Sequence, residues 1–470
     1  MVLSSQSLKF LLQLAATAVL ARLLAPRDFG LVAMVFALTN FLALFGDLGL
    51  STATVQRADV TQAQVSNLFW VNVALGAGVA LLCALSAPLV AWFYAEPRLT
   101  AVTLALAGGF LFSALSVQHQ AMLRRQMRFA LLARVDVLSL LAGLATGVAL
   151  AMLGAGYWSL VASDLAVRLV YALGVWLATA WRPGRFRRGS GTRPLLAFGG
   201  SLTGFNVANY LSRTADDVLL GRTVGSAALG LYSKAYQLLL LPVQRISGPV
   251  SSIAIPTLSR LQVDPRRFRS FYLQAMLMIC AIGMPAVVFL FVTAEDAIAL
   301  VLGDQWSGAV ILFKVLAPAA FVGTFNVAGS WVCTPLGRTD RLLRWQVVAS
   351  SLTVAAFLIG VRWGAVGVAA AFSISTVVLR RPGLAYLLSD SPVRLSDVLR
   401  TIARPALASI AAGAGLYALS SALDLERPPA AALSIGGPVY LALYALLWNA
   451  TPGGRRSFLA ILRSSRELRQ

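Results

Sequence analysis

The chain has 470 residues, of which 58% are hydrophobic and only 12% are charged, and its formal net charge is +21. A water-soluble globular protein carries about 25% charged residues, so this composition excludes a soluble fold. The sequence therefore predicts a polytopic membrane protein whose function is performed in or across the bilayer.

Apolar runs long enough to cross a bilayer recur along the chain in two series. The first six lie near residues 3–24, 30–50, 67–94, 99–118, 135–153 and 157–181. After the polar stretch WRPGRFRRGSGTRP, eight more lie near 195–214, 223–243, 271–293, 308–334, 344–361, 364–388, 401–420 and 432–449. The predicted fold class is all-α, with about 14 transmembrane helices.

An internal repeat relates the two series. Arg22 and Gly30 in LARLLAPRDFGLVAM recur as Arg222 and Gly230 in LLGRTVGSAALGLYSK, 200 residues later. A shift by six helices keeps both copies in the same orientation, so they form parallel repeats about an axis along the membrane normal. We expect an N-lobe at 1–181, a basic cytoplasmic linker at 182–194, a C-lobe at 195–388, two peripheral helices at 389–449 and a basic cytoplasmic tail at 450–470.

Lysine and arginine concentrate in the tail and in the loops that follow even-numbered predicted helices. Arg380 and Arg381 are counted with these loops. The positive-inside bias places these loops and both termini in the cytoplasm. The positive charge therefore indicates topology and contact with anionic membrane lipids, and no nucleic acid is expected as a partner.

Residues for metal, redox or hydrolytic chemistry are sparse. The three cysteines lack CxxC spacing, the one histidine, His119, has no partner at metal-ligand spacing, and no P-loop or nucleophile elbow occurs. We predict no catalytic residue, metal or cofactor, and no enzyme.

Ionisable side chains inside apolar runs are costly and by default mark a binding site or a pathway. Most of them, together with polar amides, lie on the first two helices of each predicted lobe. An unpaired cation there is retained where a counter-charge arrives, so the transported species should be anionic, and a pyrophosphate would suit Arg and Lys. The predicted cavity groups are Arg213, Lys234, Lys9, Arg22, Arg222, Asn206, Asn209, Lys314 and Arg168.

Acidic side chains in the same runs are candidates for ion coupling or charge pairing. Asp164 and Arg168 share one helix face, so a structural ion pair between them is an equal alternative. Lys9, Lys234 and Lys314 either face the cavity or reach the membrane surface. Arg22 and Arg222 either touch substrate or stabilise the helix junction. The candidate carboxylates are Asp47, Asp164, Asp216 and Asp217, and Asp136 is a further intramembrane charge.

Several segments resemble the polysaccharide exporters of the multidrug, oligosaccharidyl-lipid and polysaccharide (MOP) superfamily, in the lipopolysaccharide and colanic-acid exporter branch. The segments, found between about residues 10 and 390, are LARLLAPRDFGLVAM, FGDLGLSTATVQR, QHQAMLRRQMRF, GYWSLVA, LGLYSKAYQLLLLPVQ and IPTLSRLQ. The resemblance implies an alternating-access flippase of the bacterial inner membrane. Its substrate would be an undecaprenyl-pyrophosphate-linked oligosaccharide, and polysaccharide polymerase machinery a further partner.

Two other functions are compatible with parts of this pattern. A cation-coupled multidrug exporter of the same superfamily would favour acidic cavity residues, whereas cations prevail here. A membrane polysaccharide polymerase or ligase would carry catalytic groups on a large outer loop, whereas the predicted outer loops are short.

Overall fold

The computed structural model describes residues 2–47, 50–56, 60–186, 210, 214–423, 428–450 and 454 of the chain. Within these ranges the regular structure is helical, with three short 3-10 turns and no strand. The predicted all-α fold is confirmed.

The chain divides into two compact units, Met1–Gly230 and Leu231–Gln470. Unit 1 contains α1 (Val2–Leu23), α2 (Pro26–Asp47), α3 (Leu50–Gln56), α4 (Gln62–Tyr94), α5 (Arg98–Arg125), α6 (Phe129–Met152), α7 (Trp158–Ala178), α8 (214–223) and the first turn of α9 (Ser226–Arg260). Unit 2 contains the rest of α9, then α10 (Pro265–Val292), α11 (Ala294–Val301), α12 (Gly308–Gly323), α13 (Ser330–Cys333), α14 (Thr339–Gly360), α15 (Gly364–Leu388), α16 (Leu395–Leu423) and α17 (Pro429–Ala450). The predicted boundaries of lobes, linker and tail stay predictions.

Membrane-spanning character recurs along both units. In the described part of the chain, 11 stretches are long and apolar enough to cross a bilayer, and one of them, Thr339–Leu388, contains both α14 and α15. α1, which contains Lys9, Gln13 and Arg22, is not among the 11. The chain is a multi-pass membrane protein, as its composition predicts.

Small residues bring the helices of unit 1 into close contact. A methyl group on Gly76 of α4 would lie 2.3 Å from the Ala114 side chain of α5. One on Gly143 of α6 would lie 2.3 Å from the Val167 side chain of α7. Without a hydrophobic driving force between helices in lipid, such close packing is a main source of helix association.

Loops of unit 1 gather at two opposite ends of its helices. At one end, Glu96 receives a bidentate hydrogen bond from Arg98, at 2.8 Å for each pair, and Arg27 lies 3.8 Å away. The hydrogen bond from Arg98 lowers the pKa of the Glu96 carboxyl, against the opposing effect of burial. At the other end, Arg125 Nη1 donates to the Thr54 carbonyl at 3.0 Å, and Trp70 Nε1 donates to the Gly184 carbonyl at 2.8 Å. This segregation matches the alternation of predicted odd and even loops.

Unit 2 has its apolar core between α9, α10, α13 and the end of α15. Phe268 and Tyr272 on α10 are fully buried there with Trp331 of α13, whose indole donates to Ser251 Oγ of α9 at 3.0 Å. The last two helices also pack against α10. Val398 and Ile402 of α16 belong to the same core, and Tyr444 Oη of α17 donates to the Ala281 carbonyl at 3.0 Å.

One predicted helix of unit 2 is interrupted. The apolar run 308–334 predicts a single helix, but a 3-10 turn, Asn326–Ala328, separates α12 from α13. Glycine, threonine and asparagine are weak helix formers, and this segment contains Gly323, Thr324, Asn326 and Gly329. Close packing also fixes the interruption, because a methyl group on Gly329 would lie 2.4 Å from the Leu387 side chain of α15.

Candidate functional site

The two copies of the repeated motif meet inside unit 1. A methyl group on Gly30 in α2 would lie 1.6 Å from the Ser226 carbonyl oxygen, and one on Gly230 would lie 1.9 Å from the Pro26 carbonyl oxygen. The first turns of α2 and α9 therefore touch backbone to backbone. The contact is reciprocal, because Pro26 and Ser226 hold equivalent positions in the repeat, as do Gly30 and Gly230. Only glycine fits at either crossing point.

The repeated arginines lie next to this crossing, at the last turns of α1 and α8. Both side chains are exposed. The Arg222 guanidinium lies over the Phe93 ring, with Cζ 5.9 Å from the ring centroid. Arg22 is in the last turn of α1, where a cation interacts favourably with the helix dipole. The positions leave both side chains accessible to an anion.

Two predicted cavity cations of unit 1 form ion pairs between or along helices. Lys9 of α1 pairs with Asp136 of α6, and both side chains are half-buried. Arg168 Nε lies 2.6 Å from Asp164 Oδ2, and its Nη1 donates to Ser113 Oγ of α5 at 3.1 Å. The Asp164–Arg168 bridge that helical spacing makes possible is present, and it also ties α7 to α5.

The predicted lysines of unit 2 have polar neighbours of different kinds. Lys234 Nζ donates to Gln237 Oε1 at 3.1 Å, one turn further along α9. Lys314 Nζ of α12 lies 2.8 Å from Glu295 Oε1 on α11. Glu295 lies 19 residues before Lys314, beyond the spacing of neighbours on one helix, so sequence spacing could not identify this partner.

The predicted carboxylates also differ in their surroundings. Asp47 ends α2. Its carboxylate accepts hydrogen bonds from the backbone N–H and the hydroxyl of Ser51, in the first turn of α3. Asp216 is buried. Asp217 is half-buried and close enough to Tyr94 and Tyr210 to interact with both phenols electrostatically.

Three predicted cavity residues, Arg213, Asn206 and Asn209, lie outside the described residues. Their assignment to a substrate cavity stays a prediction.

Two neighbouring arginines were assigned to the wrong kind of element. Arg380 and Arg381 were counted with a basic loop, but both lie inside α15, which continues to Leu388. The sequence contained the signal, because the predicted run 364–388 encloses Arg380. Its side chain is half-buried and donates to Asn326 at the interruption between α12 and α13.

Comparison with known families gives these charges a context. The family described as polysaccharide biosynthesis protein matches residues 19–311, more than half of the chain. The chain belongs to this family. The resemblance to polysaccharide exporters that the sequence motifs carry is thereby confirmed.

Several bacterial proteins of named function are similar to this chain over most of its length. The teichuronic acid biosynthesis protein TuaB of Bacillus subtilis is 26% identical, over 83% of this chain and 81% of its own length. The lipopolysaccharide biosynthesis protein WzxC of Escherichia coli is 24% identical, over 80% of this chain and 76% of its own. The succinoglycan biosynthesis transport protein ExoT of Rhizobium meliloti is 26% identical, over 75% and 71%.

Two solved structures share the fold of this chain. The lipid II flippase MurJ, in an inward closed conformation, has a TM-score of 0.76 at 15% identity, with 95% of this chain and 97% of MurJ covered. An inward-facing multidrug resistance MATE transporter of the MOP superfamily has a TM-score of 0.66 at 15% identity, covering 84% of this chain and 95% of its own. These likenesses confirm the predicted polytopic fold.

Proposed function

We propose that the chain is an alternating-access flippase that moves an undecaprenyl-pyrophosphate-linked oligosaccharide from the cytoplasmic to the periplasmic leaflet of a bacterial inner membrane. The product would serve the synthesis of a surface polysaccharide. The observation that carries the proposal is the match to polysaccharide biosynthesis proteins on a chain with a MOP transporter fold.

The printed functions of similar proteins support this substrate class. TuaB, WzxC and ExoT are named for teichuronic acid, lipopolysaccharide and succinoglycan biosynthesis, and MurJ is named as a flippase of lipid II. Each polar group left without a hydrogen bond in the hydrocarbon costs several kcal/mol, so an oligosaccharide needs a protein-lined path.

The Lys and Arg side chains suit an anionic head group, which would bind to some of them by displacing a carboxylate. We propose that Arg22, Arg222 and Lys234, with Arg213, Asn206 and Asn209, attract the pyrophosphate. Lys9, Arg168 and Lys314 hold carboxylates in this structure, so a phosphate would compete with Asp136, Asp164 and Glu295 for them. Asp47, Asp216 and Asp217 are then candidates for ion coupling.

The direction of transport rests on the proposed orientation. The basic loops and both termini would lie in the cytoplasm, where lipid-linked precursors are made and where anionic lipids attract Lys and Arg. Polysaccharide polymerase machinery would take the product on the outer side.

A cation-coupled multidrug exporter is the second candidate, favoured by the shared MATE fold and by the buried Asp216. It predicts unchanged surface polysaccharide in a deletion host and a change in drug sensitivity.

The test is complementation of a deletion host with the wild-type chain and with Arg213→Ala, Arg213→Lys and Lys234→Ala. Arg245→Ala is the matched control, because Arg245 is exposed on the same helix as Lys234. Surface polysaccharide and the lipid-linked intermediate are quantified at equal membrane levels of each protein. We expect the alanine variants at Arg213 and Lys234 to lose polysaccharide and accumulate the intermediate on the cytoplasmic side. Full activity in both would remove these residues from the site.

A further inference from the structure

The interruption between α12 and α13 is a rigid feature of unit 2. Tyr272 Oη of α10 donates to the Ala328 carbonyl at 3.1 Å, which satisfies a backbone acceptor that the broken helix leaves open. Phe325 is 5% exposed and belongs to the apolar core, whereas the neighbouring Asn326 is exposed. An irregular backbone at membrane depth is tolerated where it is packed in protein or lines a polar path.

Arg380 of α15 is held against this interruption by an amide and an aromatic ring. Its Nη1 donates to Asn326 Oδ1 at 2.7 Å, and its Cζ lies 5.7 Å from the centroid of the Phe325 ring. Its Nε is buried and has no hydrogen-bond partner among the described residues. Within the same residues, Arg380 forms no ion pair with a carboxylate.

This arrangement holds the Arg380 guanidinium in place and leaves N–H donors available to a ligand. A guanidinium has five N–H donors in a planar fork that matches carboxylate and phosphate oxygens. Asn326 accepts from only one of its nitrogen atoms. A partly buried cation without a counter-charge is costly, and one inside a membrane protein usually faces a substrate or an ion path.

The depth of the pair can be estimated from helix lengths. α12 and α15 run in the same direction, since two contacts follow the same order along both. Ser373 Oγ of α15 donates to the Val315 carbonyl of α12, and Arg380, further along α15, donates to Asn326, which follows α12. Arg380 lies 16 residues after Gly364, where α15 begins, which corresponds to about 24 Å along the helix. The hydrocarbon core is about 30 Å thick. In the proposed orientation the pair therefore lies at the level of the cytoplasmic leaflet.

We infer that Arg380 and Asn326 form a binding site for the diphosphate of a polyprenyl-linked substrate, used when the substrate enters from the cytoplasmic leaflet. The inference rests on the proposed function. It adds a substrate contact in unit 2 to those proposed at the charged residues of the repeated motif. The Arg380 fork binds phosphate oxygens, and the Asn326 amide fixes the orientation of the fork.

The binding test uses the full chain in nanodiscs of phosphatidylcholine, with farnesyl pyrophosphate as the probe and farnesol as the uncharged control. Binding is followed by intrinsic tryptophan fluorescence. The variants are Arg380→Ala, Arg380→Lys and Asn326→Ala, and the matched control is Arg381→Ala, which removes an exposed arginine next to Arg380. A thermal unfolding curve of each variant shows that it is folded.

We expect Arg380→Ala to weaken farnesyl pyrophosphate binding by about tenfold or more, because a charge-assisted hydrogen bond is lost. Arg380→Lys should weaken it less, because the charge remains without the fork. Arg381→Ala should change it by less than about twofold, and farnesol should bind no variant differently.

Three outcomes would overturn the inference. Equal binding by Arg380→Ala and Arg381→Ala would make Arg380 a structural support of the interrupted helix. Displacement of the probe by phosphatidylglycerol at similar concentrations would make the pair a site for bulk lipid phosphate. Full export by Arg380→Ala in the deletion host, where the wild type restores export, would remove the contact from transport. Failure of the wild type itself to restore export would instead contradict the proposed function.

Discussion

The intramembrane cations of unit 1 and the arginine at the helix interruption of unit 2 are held by different chemistry. Lys9 and Arg168 contact carboxylates, Asp136 and Asp164, so their charges are neutralised within unit 1. Arg380 is held by an amide and an aromatic ring, which orient the guanidinium without neutralising it. A cation held by a carboxylate stabilises helix packing and can bind an external anion only by exchange, whereas one held by an amide is available to an anion without exchange.

The largest effect should come from breaking a carboxylate pair in unit 1. Asp136→Ala leaves the Lys9 ammonium half-buried without its counter-charge. We expect a loss of about 2 kcal/mol in the free energy of unfolding, below the range for fully buried pairs because both side chains are partly exposed. Chemical denaturation in detergent micelles measures it.

The double variant Lys9→Met with Asp136→Leu is the matched control. It removes both charges and keeps apolar volume, so it should regain most of the stability that Asp136→Ala loses. If the single and double variants are equally unstable, helix packing rather than charge pairing accounts for the loss.

A smaller effect is expected at the loop cluster of unit 1, and it should depend on pH. The pKa of Glu96 is lower in the folded protein than in the unfolded chain, where it is about 4.3. The stabilisation is therefore complete above the unfolded value and is lost as pH falls through the folded value. We expect Glu96→Gln to lower the melting temperature at pH 7. The difference in melting temperature between the variant and the wild type should shrink as pH falls below about 4.

Melting curves from pH 7 to pH 3 test this dependence. A constant difference in melting temperature between Glu96→Gln and wild type across that range would show that the charge of Glu96 does not contribute. The control variant is Asp304→Asn, which removes a carboxylate from another 3-10 turn of unit 2, Asp304–Trp306, and shows how much of the acid dependence is general.

The smallest change in stability is expected at Arg380. Arg380→Met keeps an apolar stem against Phe325 and removes a charge that no carboxylate among the described residues neutralises. The free energy of unfolding should change by less than about 1 kcal/mol, in contrast to Asp136→Ala. A loss as large as that of Asp136→Ala would mean that both cations serve packing and would end the distinction between the two regions.

Sequence patterns predicted the elements of this fold better than the contacts between them. The run 364–388 coincides with α15, and the spacing of Asp164 and Arg168 predicts their ion pair, because both features depend on local helical geometry. The partner of Lys9 lies 127 residues away in the chain. Only the packing of α1 against α6 brings Asp136 to Lys9, so spacing within one helix could not identify it.

The helix interruption was missed for a similar reason. Glycine, threonine and asparagine in 323–329 lower helix propensity but do not by themselves break an apolar run. The packing of Gly329 against Leu387 and the hydrogen bond from Tyr272 to Ala328 fix the break, and both involve residues distant in sequence. The position of Arg380 inside the run 364–388 is visible in the sequence, but its contact with Asn326 depends on this break and could not be predicted.

The crossing of Gly30 and Gly230 has the geometry of an interface between two identical subunits. In a two-fold symmetric dimer, residue i of one subunit contacts residue j of the other and j contacts i in return. Here Gly30 meets Ser226 while Gly230 meets Pro26, and each pair holds matching positions of the duplicated segment. A gene duplication that fused the two subunits of such a dimer into one chain would preserve this contact, since the glycine of each copy makes room for the backbone of the other copy.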